Sequence, residues 1–206
     1  MLGSAAVLTL VSAAACSDPA TEQLKKTTVP TYDSKTGKLT QLTYDRDKNG
    51  RIDTWTDMDG TRPLRSRIDL DEDGKIDRWE YYDEKGGLAK VGFSRKKDGR
   101  PDAWAYSGPD GKVARVEISS TGDEDKIDRW EFYEGGALSR VEEDTDGDGR
   151  VDKWETYENG TLKTVAMDEN KDGAPDRRFT YAGGALVLIE SSPDASGRFT
   201  KRVEVK

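Results

Sequence analysis

A glycine interrupts this chain about every dozen residues, and that spacing excludes most helical folds. An isolated helix needs roughly 12–15 residues before its hydrogen bonds offset the cost of nucleation. The segments between interruptions are only about five to eight residues long. They are rich in Trp, Tyr, Phe, Val and Thr and bounded by Gly, Asn or Asp, which is the pattern of short strands. The Asn-Gly pair of "ENGT", residues 158–161, is a strong signal for a two-residue hairpin turn.

The interruptions are periodic. Acidic segments begin at Asp45, Asp69, Ser94, Ser120, Asp144 and Asp168, with a faint seventh at Ser192, at intervals of 24, 25, 26, 24, 24 and 24 residues. Between them a Gly followed two residues later by an apolar residue recurs, as in Gly37/Leu39, Gly86/Leu88, Gly111/Val113, Gly136/Leu138, Gly160/Leu162 and Gly184/Leu186. One unit therefore reads acidic loop, Trp strand, Gly turn, Leu strand. The expected fold is all-β: antiparallel β-hairpin repeats of about 24 residues over 31–206, in a meander or solenoid-like strip, connected by acidic loops. Whether the strip stays open, curls into a sandwich or closes is left undecided by the repeat. The basic, alternating end "RFTKRVEVK" suits a charged edge strand.

Within each unit the tryptophans fall in register. Trp55, Trp79, Trp104, Trp130 and Trp154 occupy one place in five successive units, and Arg178 takes that place in the next. Stacked units are expected to line these rings into a ladder that forms the core. Alternation places Tyr82, Tyr133 and Tyr157 on the opposite face.

The loops carry the chemistry. "DLDEDGKIDRWE", residues 69–80, has acids at positions 1, 3, 5, 9 and 12 and Gly74 at position 6. Calcium takes six to eight oxygens, and a twelve-residue loop can supply them from positions 1, 3, 5, 7, 9 and 12. Residues 69–80 offer Asp69, Asp71, Asp73, Asp77 and Glu80, and residues 144–155 offer Asp144, Asp146, Asp148, Asp152 and Glu155. The loop at 45–53 offers Asp45, Asp47, Asn49 and Asp53, and that at 168–176 offers Asp168, Asn170, Asp172 and Asp176; neither has an acid at position 12. In the middle loops Lys96 stands at position 3, where its ammonium could replace an ion, and Ser120 and Gly122 replace two acids. Turn formation alone needs one Asp and one Gly. Four acids within nine residues repel one another without a counter-ion.

These loops resemble those of EF-hands, dockerin repeats and thrombospondin type 3 repeats, and the resemblance implies Ca2+ as the cofactor. The flanks depart from all three: no helical period surrounds the loops, and no framework cysteines are present. In a strand, Asp77 and Glu80 point to opposite faces, so either a helical turn intervenes or Glu80 and Glu155 are not ligands. The turn segments "YDSKTGKLTQL" and "YYDEKGGLAKV" resemble YD repeats, which build antiparallel strips.

At the start, "MLGSAAVLTLVSAAAC", residues 1–16, is an apolar run ending in small residues and Cys16. It resembles a bacterial lipoprotein signal, which implies lipidation at Cys16, and Ser17 then implies the outer membrane. Ordinary cleavage after Ala15 is the simpler alternative. The polar segment 17–30 reads as a tether of at most roughly 45 Å.

The absences narrow the function further. With no histidine and one cysteine, Ser-His-Asp, Cys-His and multi-Cys metal sites are unavailable. A net charge of −8 disfavours nucleic acid as a partner. The sequence supports an exported, calcium-stabilised repeat protein, a structural or binding module at the cell surface or in the periplasm, and not an enzyme. Its affinity is expected at about 10⁻⁴ to 10⁻³ M, as in extracellular modules. The second reading is a calcium-dependent carbohydrate-binding or adhesion protein using Tyr82, Tyr133 and Tyr157. A remote third is a hydrolase working through carboxylates alone.

Overall fold

The computed structural model describes residues 26–205. The expected signal segment 1–16 with Cys16, and residues 17–25 of the expected tether, lie outside the described residues. Residues 28–30 of that tether are already strand.

The described residues form fifteen strands: β1 (Thr28–Tyr32), β2 (Leu39–Tyr44), β3 (Thr54–Asp59), β4 (Arg62–Ile68), β5 (Arg78–Tyr82), β6 (Leu88–Phe93), β7 (Ala103–Ser107), β8 (Val113–Ile118), β9 (Arg129–Glu134), β10 (Ala137–Glu143), β11 (Lys153–Glu158), β12 (Thr161–Met167), β13 (Arg177–Ala182), β14 (Ala185–Pro193) and β15 (Phe199–Glu204). Each pairs antiparallel with its chain neighbours, so spatial order equals sequence order. The first and last strands pair on one side only, with β2 and β14. The sheet is therefore an open meander, roughly 65–70 Å across at about 4.8 Å per strand.

This topology sorts the two kinds of connection. Alternate connections of a meander fall on opposite edges, so the acidic loops line one edge and the Gly turns line the other. The turns are short because their residues accept left-handed backbone. Asn159 and Gly160 have φ of 52° and 73°, and Gly183 and Gly184 have 58° and 82°. Positive φ at both central residues is what a twisted two-residue hairpin requires. The seventh acidic loop expected at Ser192 is instead a tight turn of the Gly-edge kind. Asp194 N–H donates to the Arg198 carbonyl at 2.9 Å, and Gly197 N–H donates to the Asp194 carbonyl at 2.8 Å. Hydrogen bonds from Ser196 and Arg198 hold the Asp194 carboxyl down at about 2.

The expected tryptophan core is not what the sheet builds. A 24-residue unit contributes two strands, so successive tryptophans sit on every second strand, about 9–10 Å apart. The row across the sheet runs Trp55, Arg67, Trp79, Gly92, Trp104, Glu117, Trp130, Glu142, Trp154. Arg, Gly or Glu therefore separates each pair of rings, and all five tryptophans are half-buried. The next row on the same face alternates Arg65, Tyr81, Lys90, Tyr106, Arg115, Phe132 and Arg140. Its cations stack on rings: Lys90 Nζ lies 3.6 Å from the Trp104 ring centroid and Arg115 4.4 Å from that of Tyr106.

On the other face a basic residue, a glutamate and a tyrosine recur along single strands. Glu80 accepts from Arg78 at 2.8 Å and from the Tyr82 hydroxyl at 2.7 Å. Glu131 does the same for Arg129 and Tyr133, and Glu155 for Lys153 and Tyr157. Partial burial, helped by the accepting glutamates, pushes the Tyr133 and Tyr157 hydroxyls up to about 12.

Among the described residues the buried apolar side chains are only Val91, Ala103 and Val141. A single-layer sheet leaves both faces open, so apolar burial alone holds little of it together. Most of the buried residues lie instead along the loop edge, and they are polar.

Candidate cation-binding loops

A repeated backbone bond builds the loop edge. The N–H of each position-1 residue donates to the position-9 carbonyl of the loop before it: Asp69 to Asp53, Ser94 to Asp77, Ser119 to Asp102, Asp144 to Asp128 and Asp168 to Asp152, all at 2.8–2.9 Å. Each position-9 N–H in turn donates to the carbonyl just before its own position 1, as Asp77 does to Ile68 and Asp152 does to Glu143. This ladder shows that the fourth loop begins at Ser119, not Ser120. Two adjacent serines concealed the register, and the loop carries one extra residue before Asp128.

The side chains at positions 1 and 9 then fold each loop around themselves. Asp45 accepts from the Gly50 N–H, Asp69 from Gly74, Asp144 from Gly149 and Asp168 from Gly173, at 2.7–2.9 Å. Where serine replaces aspartate, its hydroxyl oxygen does the same work: Ser94 accepts from Gly99, and Ser119 from Gly122 and Asp123. Position 9 reaches back to the start of the loop. Asp53 accepts from the Arg46 N–H, Asp77 from Leu70, Asp102 from Arg95 and Lys96, Asp152 from Thr145, and Asp176 from Glu169 and Asn170. Asp53 and Asp102 are 1% and 2% exposed, deeper than any apolar residue except Val141. A buried carboxylate is tolerated only when hydrogen-bonded, and the loop backbone supplies those bonds. The acid at position 9 is therefore structural even in the middle loops, where serine takes over the role of position 1.

Three loops bring carboxylates from positions 1, 3 and 9 together: Asp45, Asp47 and Asp53; Asp69, Asp71 and Asp77; and Asp144, Asp146 and Asp152. In each triad one oxygen per residue lies within 4.8 Å of the others. These groups could hold a metal ion. In the second triad, Asp69 is 5% exposed, and its Oδ1 is buried without a hydrogen-bond partner. Among the described residues it is the one buried carboxylate oxygen without a hydrogen-bond partner, an acceptor that a cation could satisfy.

The remaining expected ligands sit differently. At position 5, Asn49, Asp73, Asp148 and Asp172 accept from the N–H two residues on, at 2.8–2.9 Å. In the last loop Asn170 donates its amide to Asp176 at 2.8 Å and accepts from the Asp172 N–H, so Asp168 and Asp176 lack a third carboxylate at position 3. Glu80 and Glu155 are not brought to the loops. Both lie inside strands β5 and β11, bound to the neighbouring Arg or Lys and Tyr, because strand continues directly after position 9 with no helical turn between. Lys96 does not enter its own loop either; its ammonium contacts the Thr121 carbonyl of the next one. The tyrosines offered as a sugar platform, Tyr82, Tyr133 and Tyr157, already donate to the strand glutamates.

Sequence reasoning missed the residue at position 4. Lys48, Glu72, Lys97 and Lys171 all hold left-handed backbone there, with φ of 66°, 59°, 55° and 65°. Three of them reach the preceding loop. Lys97 Nζ donates to Asp71 Oδ2 at 2.7 Å, Lys171 pairs with Asp146, and Glu72 meets Asn49 and Arg51. The hydrogen bond from Lys97 lowers the Asp71 carboxyl below its usual range, and Lys171 does the same for Asp146. A non-glycine residue before a recurring turn is a weak signal, and only the folded edge shows what it touches.

No protein family model and no curated protein matches this chain. Among solved structures, TarM of S. aureus aligns at 14% identity and a TM-score of 0.37, covering 50% of this chain and 22% of that one. The accessory secretory protein 1, 2 and 3 structure from Streptococcus pneumoniae aligns at 15% identity and a TM-score of 0.27, covering 60% of this chain and 20% of that one. The matches thus span about a fifth of those chains, and scores this low do not establish a shared fold.

Proposed function

We propose that the chain is a calcium-binding strip, an exported and lipid-anchored module whose loop edge is stiffened by the ion. The observation that supports this most directly is Asp69 Oδ1, buried without a donor in a triad with Asp71 and Asp77. Carboxylate oxygens with no nitrogen or sulfur ligand favour a hard cation over zinc or copper. Loop carboxylates of this kind suit calcium, whose geometry is permissive, better than magnesium, which demands a near-ideal octahedron.

The mechanism follows from the edge ladder. Positions 1 and 9 of each loop are also the residues that bond to the neighbouring loops. An ion drawing on Asp69, Asp71 and Asp77 would fix the β4–β5 connection and, through Asp69 and Asp77, the connections on either side. In a repeat strip each unit is stabilised by its neighbours, so local stiffening propagates along the array. Weak sites suit an extracellular setting, where calcium is plentiful.

A thermal melt of the full chain in EDTA and in millimolar calcium tests the reading. One site with a Kd of about 10⁻⁴ M at 1 mM calcium adds roughly 1.4 kcal/mol, enough to raise the midpoint by several degrees. Asp69→Asn should remove part of that rise. An unchanged midpoint, with calcium failing to bind calorimetrically, would refute it. The lipid anchor is tested separately: Cys16→Ser should move the protein from the membrane fraction to the soluble fraction, and retention in the membrane would count against it.

A further inference from the structure

The loop edge carries a cation of its own beside each of two triads. Position 4 adopts left-handed backbone in the loops where it carries a side chain, and from the second, third and sixth loops that side chain reaches the loop before. What it brings differs. To the loop at 45–53 it brings the carboxylate of Glu72; to the loop at 69–77 it brings the ammonium of Lys97; to the loop at 144–152 it brings the ammonium of Lys171. Lys171 also lies 4.0 Å from Asp148, so it faces two acids of one loop.

We propose that Lys97 is a tethered counter-ion that competes with a divalent cation for the loop at 69–77 and sets that loop's affinity. The inference rests on the calcium reading above and concerns its regulation. Lys97 holds Asp71 at 2.7 Å, and Asp71 is one of the triad's three acids. An ion that takes Asp71 must either displace the ammonium or bind beside it, and like charges a few ångströms apart repel. The displacement is feasible because the Lys97 side chain is 66% exposed and has solvent to swing into. Meanwhile Asp69 Oδ1 stays without a donor, since Lys97 engages position 3 and not position 1. The tethered cation therefore neutralises the triad in part and leaves an incentive for a second cation.

The same geometry makes the loops unequal. The first loop receives no lysine at position 4 of the loop that follows it and gains Glu72 instead. The second and fifth are each held by a lysine from the loop that follows. Lys171 repeats the arrangement on Asp146, and affinity differences among the three triads are expected to track this position-4 residue more than the triads themselves, which are chemically alike.

Calcium titration of the full chain by calorimetry tests this with three substitutions. Lys97→Gln removes the charge and keeps a polar, unbranched side chain one atom shorter. Lys48→Gln is the matched control, because Lys48 has the same loop position and backbone but no acidic loop before it among the described residues. Asp69→Asn assigns the effect to the loop at 69–77. Lys97→Gln should tighten one calcium site about two- to fivefold, the range an exposed ion pair represents. Lys48→Gln should leave binding unchanged, and Lys97→Gln should have no effect in the Asp69→Asn background. If the wild type binds calcium and Lys97→Gln binds it no more tightly, the counter-ion role is overturned while the calcium reading stands. If only Lys97→Gln binds, the lysine role holds in its strongest form. If neither binds up to about 10 mM, ten times the weak end of the extracellular range, both fall together.

Discussion

Asp102→Ala is expected to be among the most destabilising single changes in this protein, although its loop has no carboxylate triad. Asp102 is 2% exposed and accepts from the N–H groups of Arg95 at 2.9 Å and Lys96 at 3.2 Å. Alanine would remove a buried carboxylate from both donors, and a hydrogen bond to a charged group contributes about 1.5–3 kcal/mol. The loss should therefore be roughly 2–3 kcal/mol by urea denaturation. Asp102→Asn, which keeps one acceptor oxygen, should lose about 1 kcal/mol. The decisive feature is indifference to calcium: the Asp102→Ala deficit should be the same in EDTA and in calcium. Asp71→Asn should show the reverse, because its carboxylate is 38% exposed and its ion pair contributes little to folding. Its cost should be near zero in EDTA and emerge only with calcium. If Asp102→Ala were silent, the polar edge would not be the structural spine described above. Amide exchange would then be expected to show no loosening where β6 and β7 meet.

Gly92→Val should cost about 2–3 kcal/mol, through overpacking and loss of a cation–π contact. Gly92 lies mid-strand in β6, where glycine is ordinarily a weakness. Here the Trp104 ring lies across it. A Cβ added at Gly92 would come 2.5 Å from Trp104 Cζ3 and 2.9 Å from both Cε3 and Cη2. The ring cannot yield cheaply. Lys90 Nζ sits 3.6 Å from its centroid, and Tyr81 packs at 6.1 Å with a 52° tilt. Displacing it breaks both contacts. Denaturation of Gly92→Val, Trp104→Val and the double variant would measure the coupling. The double variant should be less destabilised than the sum of the two single changes, because the clash disappears with the ring. Strict additivity would show that the ring and the glycine do not pack against each other.

These two predictions mark where sequence reasoning stops. Repeat period, strand content and turn positions were legible because they follow from local chemistry. Glycine at fixed intervals forbids long helices, and Asn-Gly or Gly-Gly fixes hairpins such as those at 159–160 and 183–184. The alternate acids at 1, 3 and 9 were legible as three converging groups because one loop contains all three. Glu80 and Glu155 were misplaced for the same local reason in reverse. Position 12 belongs to a loop only if the chain turns helically after position 9, and here it goes straight into strand.

What the sequence by itself determined is a meandering set of hairpins with acidic loops, since period, turn residues and alternation act over a few neighbours. The tertiary structure alone decided that the sheet stays open in one layer, so that no second layer covers the tryptophan row and Arg, Gly or Glu stands between its rings. It alone showed that the buried spine is a line of hydrogen-bonded aspartates and serines, that the fourth loop starts at Ser119, and that Lys97 and Lys171 sit on the acids of the loops before them. Each of these depends on which strand lies beside which. Residues about 24 apart in the chain become neighbours only when the sheet is assembled, and no local pattern records what they will touch.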